Sequence, residues 1–246
     1  MNLTKKKLRY QGKVKSLYET EQPDYLITEF RDDTTAFDGK KHEKLMHKGK
    51  VTNQISGYIM LFLKENGIPV HFEKNLSETT CLVRHLKMFP IECVVRNISA
   101  GSLCRRLGIE KNVKLRVPLY ELFLKNDVLH DPMINDNHAV SFGWATQGEL
   151  DRMKTLSLKI NQLLSQRFLD ANLVLVDSKF EFGLYQNEIY LGDEISPDSC
   201  RLWEAGTSKP LDKDRFRKNL GGVVAAYQKI SQCLGITQRG EVPKRL

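Results

Sequence analysis

Cysteine is scarce in this chain: five residues in 246, at positions 81, 93, 104, 200 and 233, with no C-x-x-C pair among them. Thiols scattered in this way, three of them inside apolar segments, exclude a zinc frame or a disulfide frame and fit a reducing cytoplasm. Long apolar runs are missing as well. None approaches the ~18 residues of a membrane span. The basic opening Met-Asn-Leu-Thr-Lys-Lys-Lys leads into polar sequence rather than a signal-peptide core, so neither a membrane partner nor export is expected. The six histidines show no metal-ligand spacing, and no Ser-His-Asp or Cys-His arrangement stands out. A net charge of +8 favours anionic partners. The basic residues nevertheless form no stripe with interleaved aromatics, so nucleic acid is not expected, and a pocket for phosphates and carboxylates is the better use of them.

What is present is a globular composition, 41% hydrophobic and 28% charged, long enough for one large or two smaller domains. No internal repeat or low-complexity linker divides it. Short strands are expected at 8–10, 16–19, 25–30 and 81–86. Apolar residues at 51, 55, 58, 59, 62 and 63 predict a helix that Asn66-Gly67 stops. A buried strand over 91–95 ends in Arg96-Asn97, and Ser102 opens a short helix that Gly108 closes. Thr146-Gln147-Gly148-Glu149 is a capping box before a long amphipathic helix with Met153, Leu156, Ile160, Leu164 and Phe168 on its buried stripe. A strand from 174, a hairpin turning at Gln186-Asn187, and a final helix over 212–234 complete the chain. Strands and helices interleave without a regular βαβ rhythm, which makes the fold α+β.

Four segments carry chemistry. Val174 to Gly183 reads V-L-V-D-S-K-F-E-F-G, and places Asp177, Lys179 and Glu181 on one face about 7 Å apart. Either this is a solvated edge strand, or it grips a ligand that is both metal-bearing and anionic. Glu181 and Asp193 suit magnesium. A strict two-residue turn would leave Asp193 on the other face, whereas a three-residue loop or a bulge at Gly192 would bring the two together. Gln11-Gly12-Lys13-Val14-Lys15-Ser16 offers a glycine turn and two lysines to phosphate, or is a plain hairpin. Arg96-Asn97-Ile98-Ser99-Ala100-Gly101-Ser102 offers an arginine beside a helix start, an anion site or a Ser N-cap with an ion-paired arginine. Asp32-Asp33-Thr34-Thr35-Ala36-Phe37-Asp38-Gly39 is a turn cluster of carboxylates. Arg201 follows the hairpin directly. Arg217, early in the last expected helix, sits poorly for its dipole, which points to another task or to a surface salt bridge.

Together, G-K-V-K, D-D-T-T-A-F-D-G, F-P-I-E-C-V-V-R-N-I-S-A-G-S-L, L-F-L-K-N-D, L-V-D-S-K-F-E-F-G and G-D-E-I-S-P-D-S-C-R-L-W resemble the SAICAR synthetase family in its short bacterial form, over roughly residues 10–235. The resemblance implies a two-lobed α+β fold. A mostly antiparallel N-terminal lobe, residues 1–88, would cover ATP in a loosely kinase-like way, and a larger α+β C-terminal domain, residues 89–246, would hold substrate and metal. It implies a cytoplasmic, magnesium-dependent homodimer of purine biosynthesis. ATP, L-aspartate and carboxyaminoimidazole ribonucleotide (CAIR) would become the succinocarboxamide, ADP and phosphate, by way of an acyl phosphate. Carried over, Gly12, Lys13 and Lys15 would hold ATP phosphates, the backbone near Met88 would meet adenine, and Glu181 and Asp193 would hold magnesium. Arg96, Ser102, Asp177, Lys179, Arg201 and Arg217 would line the CAIR site, with Asp38 near its carboxylate; Lys13 and Lys179 are the expected catalytic lysines. The loop from Lys125 to His130 is the expected place for L-aspartate. Cys200 replaces a small residue and is expected to sensitise the site to thiol reagents. The tail from Thr237 lies outside the resemblance and is expected to be disordered.

Overall fold

The computed structural model describes residues 3–36 and 39–236. Asp38 and the tail 237–246 lie outside them. Strands β1 (Leu8–Gln11), β2 (Lys15–Glu19) and β3 (Tyr25–Phe30) form an antiparallel meander, with Gln11 facing Ser16 and Lys15 facing Phe30. The Asp-Asp-Thr-Thr segment is more than a turn. Its β-branched threonines alternate, Thr34 inward and Thr35 half-out, and build β4 (Asp33–Ala36), which pairs with β5 (Lys41–Lys44) as a separate hairpin. Helix α1 (Lys48–Glu65) starts three residues before the expected Val51, buries Ile55, Ile59 and Leu63, and ends at Gly67 with φ +75°. Strands β6 (Phe72–Asn75) and β7 (Thr80–Arg84) complete a five-stranded sheet of order β1-β2-β3-β7-β6.

The second sheet begins with β8 (Lys87–Ile98), which carries Pro90 inside it. The proline is accommodated because the β8 register slips between the pairs Glu181–Glu92 and Gly183–Met88, a bulge where a missing N–H is harmless. Helix α2 (Ser102–Leu107), β9 (Lys114–Leu124), β10 (Met133–Ile134) and α3 (Asp136–Ser141) follow. Helix α4 (Gln147–Asp170) opens on the expected capping box: Thr146 N–H donates to the Glu149 carboxylate at 2.7 Å, and Glu149 N–H to the Thr146 hydroxyl at 3.3 Å. The α4 stripe from Leu150 to Phe168 packs beneath β8 and β11 (Leu173–Tyr185). Strand β11 is the spine of the sheet. One edge pairs with β8, while the other is shared between β12 (Glu188–Gly192) over its second half and β13 (Cys200–Glu204) over its first. The Asp193–Ser199 segment therefore leaves the sheet between two strands that flank the same neighbour, and rejoins it where the Ser199 carbonyl accepts from the Lys179 N–H at 2.9 Å.

After β14 (Lys209–Pro210), the expected last helix is two. Helix α5 (Asp214–Arg217) stops after one turn, and α6 (Val223–Cys233) starts afresh. Positive φ at Asn219, Gly221 and Gly222 breaks the helical path between them. One apolar core runs through both sheets, from Ile59 on α1 through Val95 and Phe182 to Tyr227 on α6. Each fully buried side chain of this kind contributes about 2 kcal/mol. Residue 88 falls at the entry to β8, the first strand of the second sheet. Among the described residues, no helix is long and apolar enough to cross a membrane.

Candidate active site

A cleft of ≈ 1240 Å³ lies between the two sheets, floored by β8 and β11 and roofed by the β1–β2 turn. Gly12, Lys13 and Lys15 face it from the roof, and Met88, Arg96, Ser102, Asp177, Lys179, Glu181, Asp193, Arg201 and Arg217 from the floor and walls.

The alternation on β11 turns a charged face into the cleft while Phe180 and Phe182 go fully into the core. A solvated edge strand is ruled out, because Asp177 and Glu181 are only 4% and 5% exposed. Lys179 Nζ donates to Glu181 at 2.8 Å and to Glu92 at 3.0 Å, and stands 4.0 Å from Asp193. Burial opposes its charge, but the Glu181 and Glu92 carboxylates outweigh burial and hold the ammonium above the ordinary lysine range. Burial likewise opposes the charge of Glu181, yet Lys179, Lys125 and Lys15 together pull it down to about 2. Lys125 also pairs with Glu181 directly, and Lys15 bridges Asp193 and Glu194.

Asp193 arrives by neither expected route. The hairpin turn is the strict two-residue kind, with φ +50° at Gln186 and +65° at Asn187, and Glu181 does face Gly192. No bulge occurs at Gly192. Asp193 itself adopts φ +58°, swinging its side chain off the strand and toward Lys179, and His71 Nε2–H pins the turn by donating to the Asp193 carbonyl at 2.8 Å. Burial, followed by Lys15, lowers His71 to about 3, so the imidazole is neutral. Gly192 and Gly183 instead make room for Met88, whose thioether carbon and sulfur would lie 3.0 and 2.9 Å from a Cβ at these positions. Two carboxylates that share one lysine are the usual protein share of a magnesium site whose remaining ligands come from phosphate and water. Among the described residues no group of three His, Cys, Asp or Glu side chains gathers to hold a metal alone.

The other end of the cleft is an arginine lattice. Arg96, 3% exposed, donates to Glu121 at 2.6 Å, to Asp177 at 3.0 Å and to the Ser102 hydroxyl at 3.2 Å. Arg201 donates to Asp177 at 2.7 Å and Asp214 at 3.3 Å, and Arg217 to Asp214 at 2.7 Å. Burial works against the Arg201 charge, but Asp177 and Asp214 overcome it and raise its pKa. Ser102 is the first residue of α2, not its cap; Gly101 is the cap, at φ +61°, and its bare α-carbon lies against the Arg201 guanidinium. The Ala-Gly-Ser motif is thus shaped around two arginines more than around a helix dipole. Arg217 closes a one-turn helix, where a cation suits the dipole, so the misfit expected from a long helix disappears.

Several site residues escaped the sequence. Glu92, Glu121, Glu194 and Lys213 line or brace the cleft, and burial lowers Lys213 to about 8 despite the nearby Asp198. Glu92 lies in the F-P-I-E segment two residues after a proline, but only the β8–β11 pairing, which sets it opposite Glu181, brings it within reach of Lys179. Lys13 pairs with Asp127 on the loop after β9 at 2.7 Å, joining roof to wall. Cys200 is buried against Ser178, and burial pushes its thiol up to about 12, which argues against the expected sensitivity to thiol reagents.

The family model described as SAICAR synthetase matches residues 8–234. The phosphoribosylaminoimidazole-succinocarboxamide synthase of Coxiella burnetii is 67% identical over 231 residues, 94% of this chain and 96% of that protein. The crystal structure of the synthase of the same name from Ehrlichia chaffeensis superposes with a TM-score of 0.91 at 42% identity, covering 93% of this chain and 98% of that one. A SAICAR synthetase solved in complex with ADP superposes with a TM-score of 0.89 at 41% identity, covering 96% and 99%.

Proposed function

The chain belongs to the SAICAR synthetase family, ligases of purine biosynthesis, and we propose that it joins L-aspartate to the carboxylate of CAIR at the expense of ATP, through an acyl phosphate. The observation that carries this reading is the adjacency on β11. A lysine–carboxylate set suited to nucleotide phosphate, around Lys179 and Glu181, begins one strand repeat from Asp177, where two arginines converge.

In this reading ATP lies under the β1–β2 turn, its phosphates against Gly12, Lys13 and Lys15 and its adenine against the backbone at Met88. Glu181 and Asp193 hold magnesium, which supplies charge neutralisation on the phosphates. Arg96, Ser102 and Arg201 receive the CAIR phosphate, while Asp177, Lys179 and Arg217 line the rest of that ligand. The CAIR carboxylate oxygen attacks the γ-phosphorus and ADP leaves. Lys179 and Lys13 offset the charge that accumulates on the transferring group. The aspartate amine then attacks the acyl carbon, phosphate departs with one former carboxylate oxygen, and the amine gives up its proton. No protein nucleophile is required, in keeping with the lack of a triad. Every side-chain cation named here already rests on a carboxylate, so each is charge-balanced and held in place before an anion arrives.

The test is product formation by the purified protein with ATP, magnesium and CAIR, with and without L-aspartate, followed by mass. ADP and succinocarboxamide in equal amounts, only with all substrates present, is the expected result. ADP without an amide would make the protein a kinase or ATPase instead.

A further inference from the structure

The β1–β2 turn is held from behind by a residue that takes no part in the cleft wall. Arg31, just past β3, places its guanidinium beneath the turn: Nη2 donates to the Gly12 carbonyl at 2.7 Å, Nη1 to the Ser16 hydroxyl at 2.6 Å, and Nε to Asp33 at 2.8 Å. Its backbone N–H donates to the Val14 carbonyl at 2.8 Å. One residue therefore grips the turn at its start, middle and end. Gly12 N–H closes the turn onto the Lys15 carbonyl at 2.9 Å.

The orientation has a consequence for anions. In a trans peptide the N–H points opposite to the C=O. With the Gly12 and Val14 carbonyls drawn toward Arg31, the amides of Lys13 and Lys15 are turned the opposite way, and both residues line the cleft. Two alternate amides turned away from Arg31, on residues that line the cleft, add backbone donors for an anion beside the two lysine side chains. The far end of the tie is also occupied: Asp33 accepts from Arg31 and meets His42 Nε2 at 2.9 Å, which links the turn to the β4–β5 hairpin.

We infer that Arg31 is a positioning residue for nucleotide binding, setting the peptide planes of the Gly12–Lys15 turn so that its amides and lysines receive phosphate. This rests on the reading that the turn holds the phosphates of ATP. Loss of this support is expected to weaken nucleotide binding by about tenfold, which corresponds to about 1.4 kcal/mol.

The test compares Arg31→Met, Arg31→Lys and Lys15→Met in the full chain, by calorimetry with Mg-ADP, by the KM values for ATP and CAIR, and by thermal melting. Arg31→Met is expected to weaken ADP and raise the KM for ATP by about tenfold, with the KM for CAIR within about twofold, and Arg31→Lys to recover part of the loss. If Lys15→Met weakens ADP while both Arg31 variants bind it as wild type does, Arg31 is only a tie in the hairpin and the inference falls, the nucleotide reading surviving. If none of the three moves ADP affinity, the nucleotide reading of the turn falls with it. Equal rises in both KM values, with a lowered melting point, would also overturn the inference. Should Arg31→Met fail to fold, Arg31→Lys carries the same comparison.

Discussion

Gly101 lies against the guanidinium of Arg201: a Cβ built on the glycine would stand 2.5 Å from Arg201 Nη2, and its φ of +61° already excludes most side chains. The two positions are distant in sequence and meet only because β8 and β13 flank β11. Gly101→Ala is expected to cost about 1–3 kcal/mol of stability through the backbone alone. It should also displace Arg201, raising the KM for CAIR more than that for ATP. Denaturant unfolding with two-substrate kinetics checks both; an unchanged KM for CAIR would separate Arg201 from that ligand.

Lys179 is the ion that Glu92, Glu181 and Asp193 have in common. Lys179→Met should leave the protein folded and lower kcat by about a hundredfold or more, the scale seen when one pre-organised charge is removed from a transition state. Circular dichroism and turnover measured on one preparation decide the matter. Near-normal turnover would take the lysine out of the reaction.

Removing even an outer partner of a metal ligand costs about 10–100-fold in affinity. Glu181→Gln and Asp193→Asn should therefore each raise the magnesium needed for half-maximal ATP use by at least about tenfold. Titrations of both variants that overlay the wild type would show that magnesium is held elsewhere.

Lys48, at the start of α1, meets Asp198 at 2.5 Å, where both are all but sealed from solvent, and Tyr227 donates to the other Asp198 oxygen at 2.7 Å. Lys48→Met strands a buried carboxylate and should destabilise by about 3–5 kcal/mol. Adding Asp198→Asn should return most of that loss. Chemical denaturation of the single and double variants tests the pair, and additive losses would mean that the two side chains do not depend on each other.

Glu181 is held at about 2 against an ordinary 4.5. A carboxylate lowered by the fold contributes stability that is complete above pH 4.5 and lost as pH falls toward 2. The stability gap between wild type and the non-titrating Glu181→Gln should narrow across that window. Urea unfolding at stepped pH measures it, and a gap constant with pH would contradict the assignment.

Local periodicity made much of this molecule legible. The β11 alternation, the α4 capping box and the Gln186-Asn187 turn all follow from residues within a few positions of one another. What stayed hidden depends on partners brought from afar. No pattern near Asp193 announces that His71 will pin its carbonyl, or that Asp193 will reach the cleft through its own left-handed backbone. The last helix read as continuous because its apolar spacing survives across Asn219 to Gly222, where two glycines were the sole warning. A bulge at Gly192 is one of two routes the sequence offers for bringing Asp193 to Glu181; the glycine instead gives clearance for Met88, a contact that only the β8–β11 register creates.

The most direct measurement follows oxygen. With CAIR labelled by oxygen-18 in its carboxylate, phosphorylation of that carboxylate predicts one labelled oxygen in the phosphate released for each amide formed. Phosphate free of label, alongside normal amide formation, would show that ATP activates something other than the CAIR carboxylate and would contradict the mechanism built on this cleft.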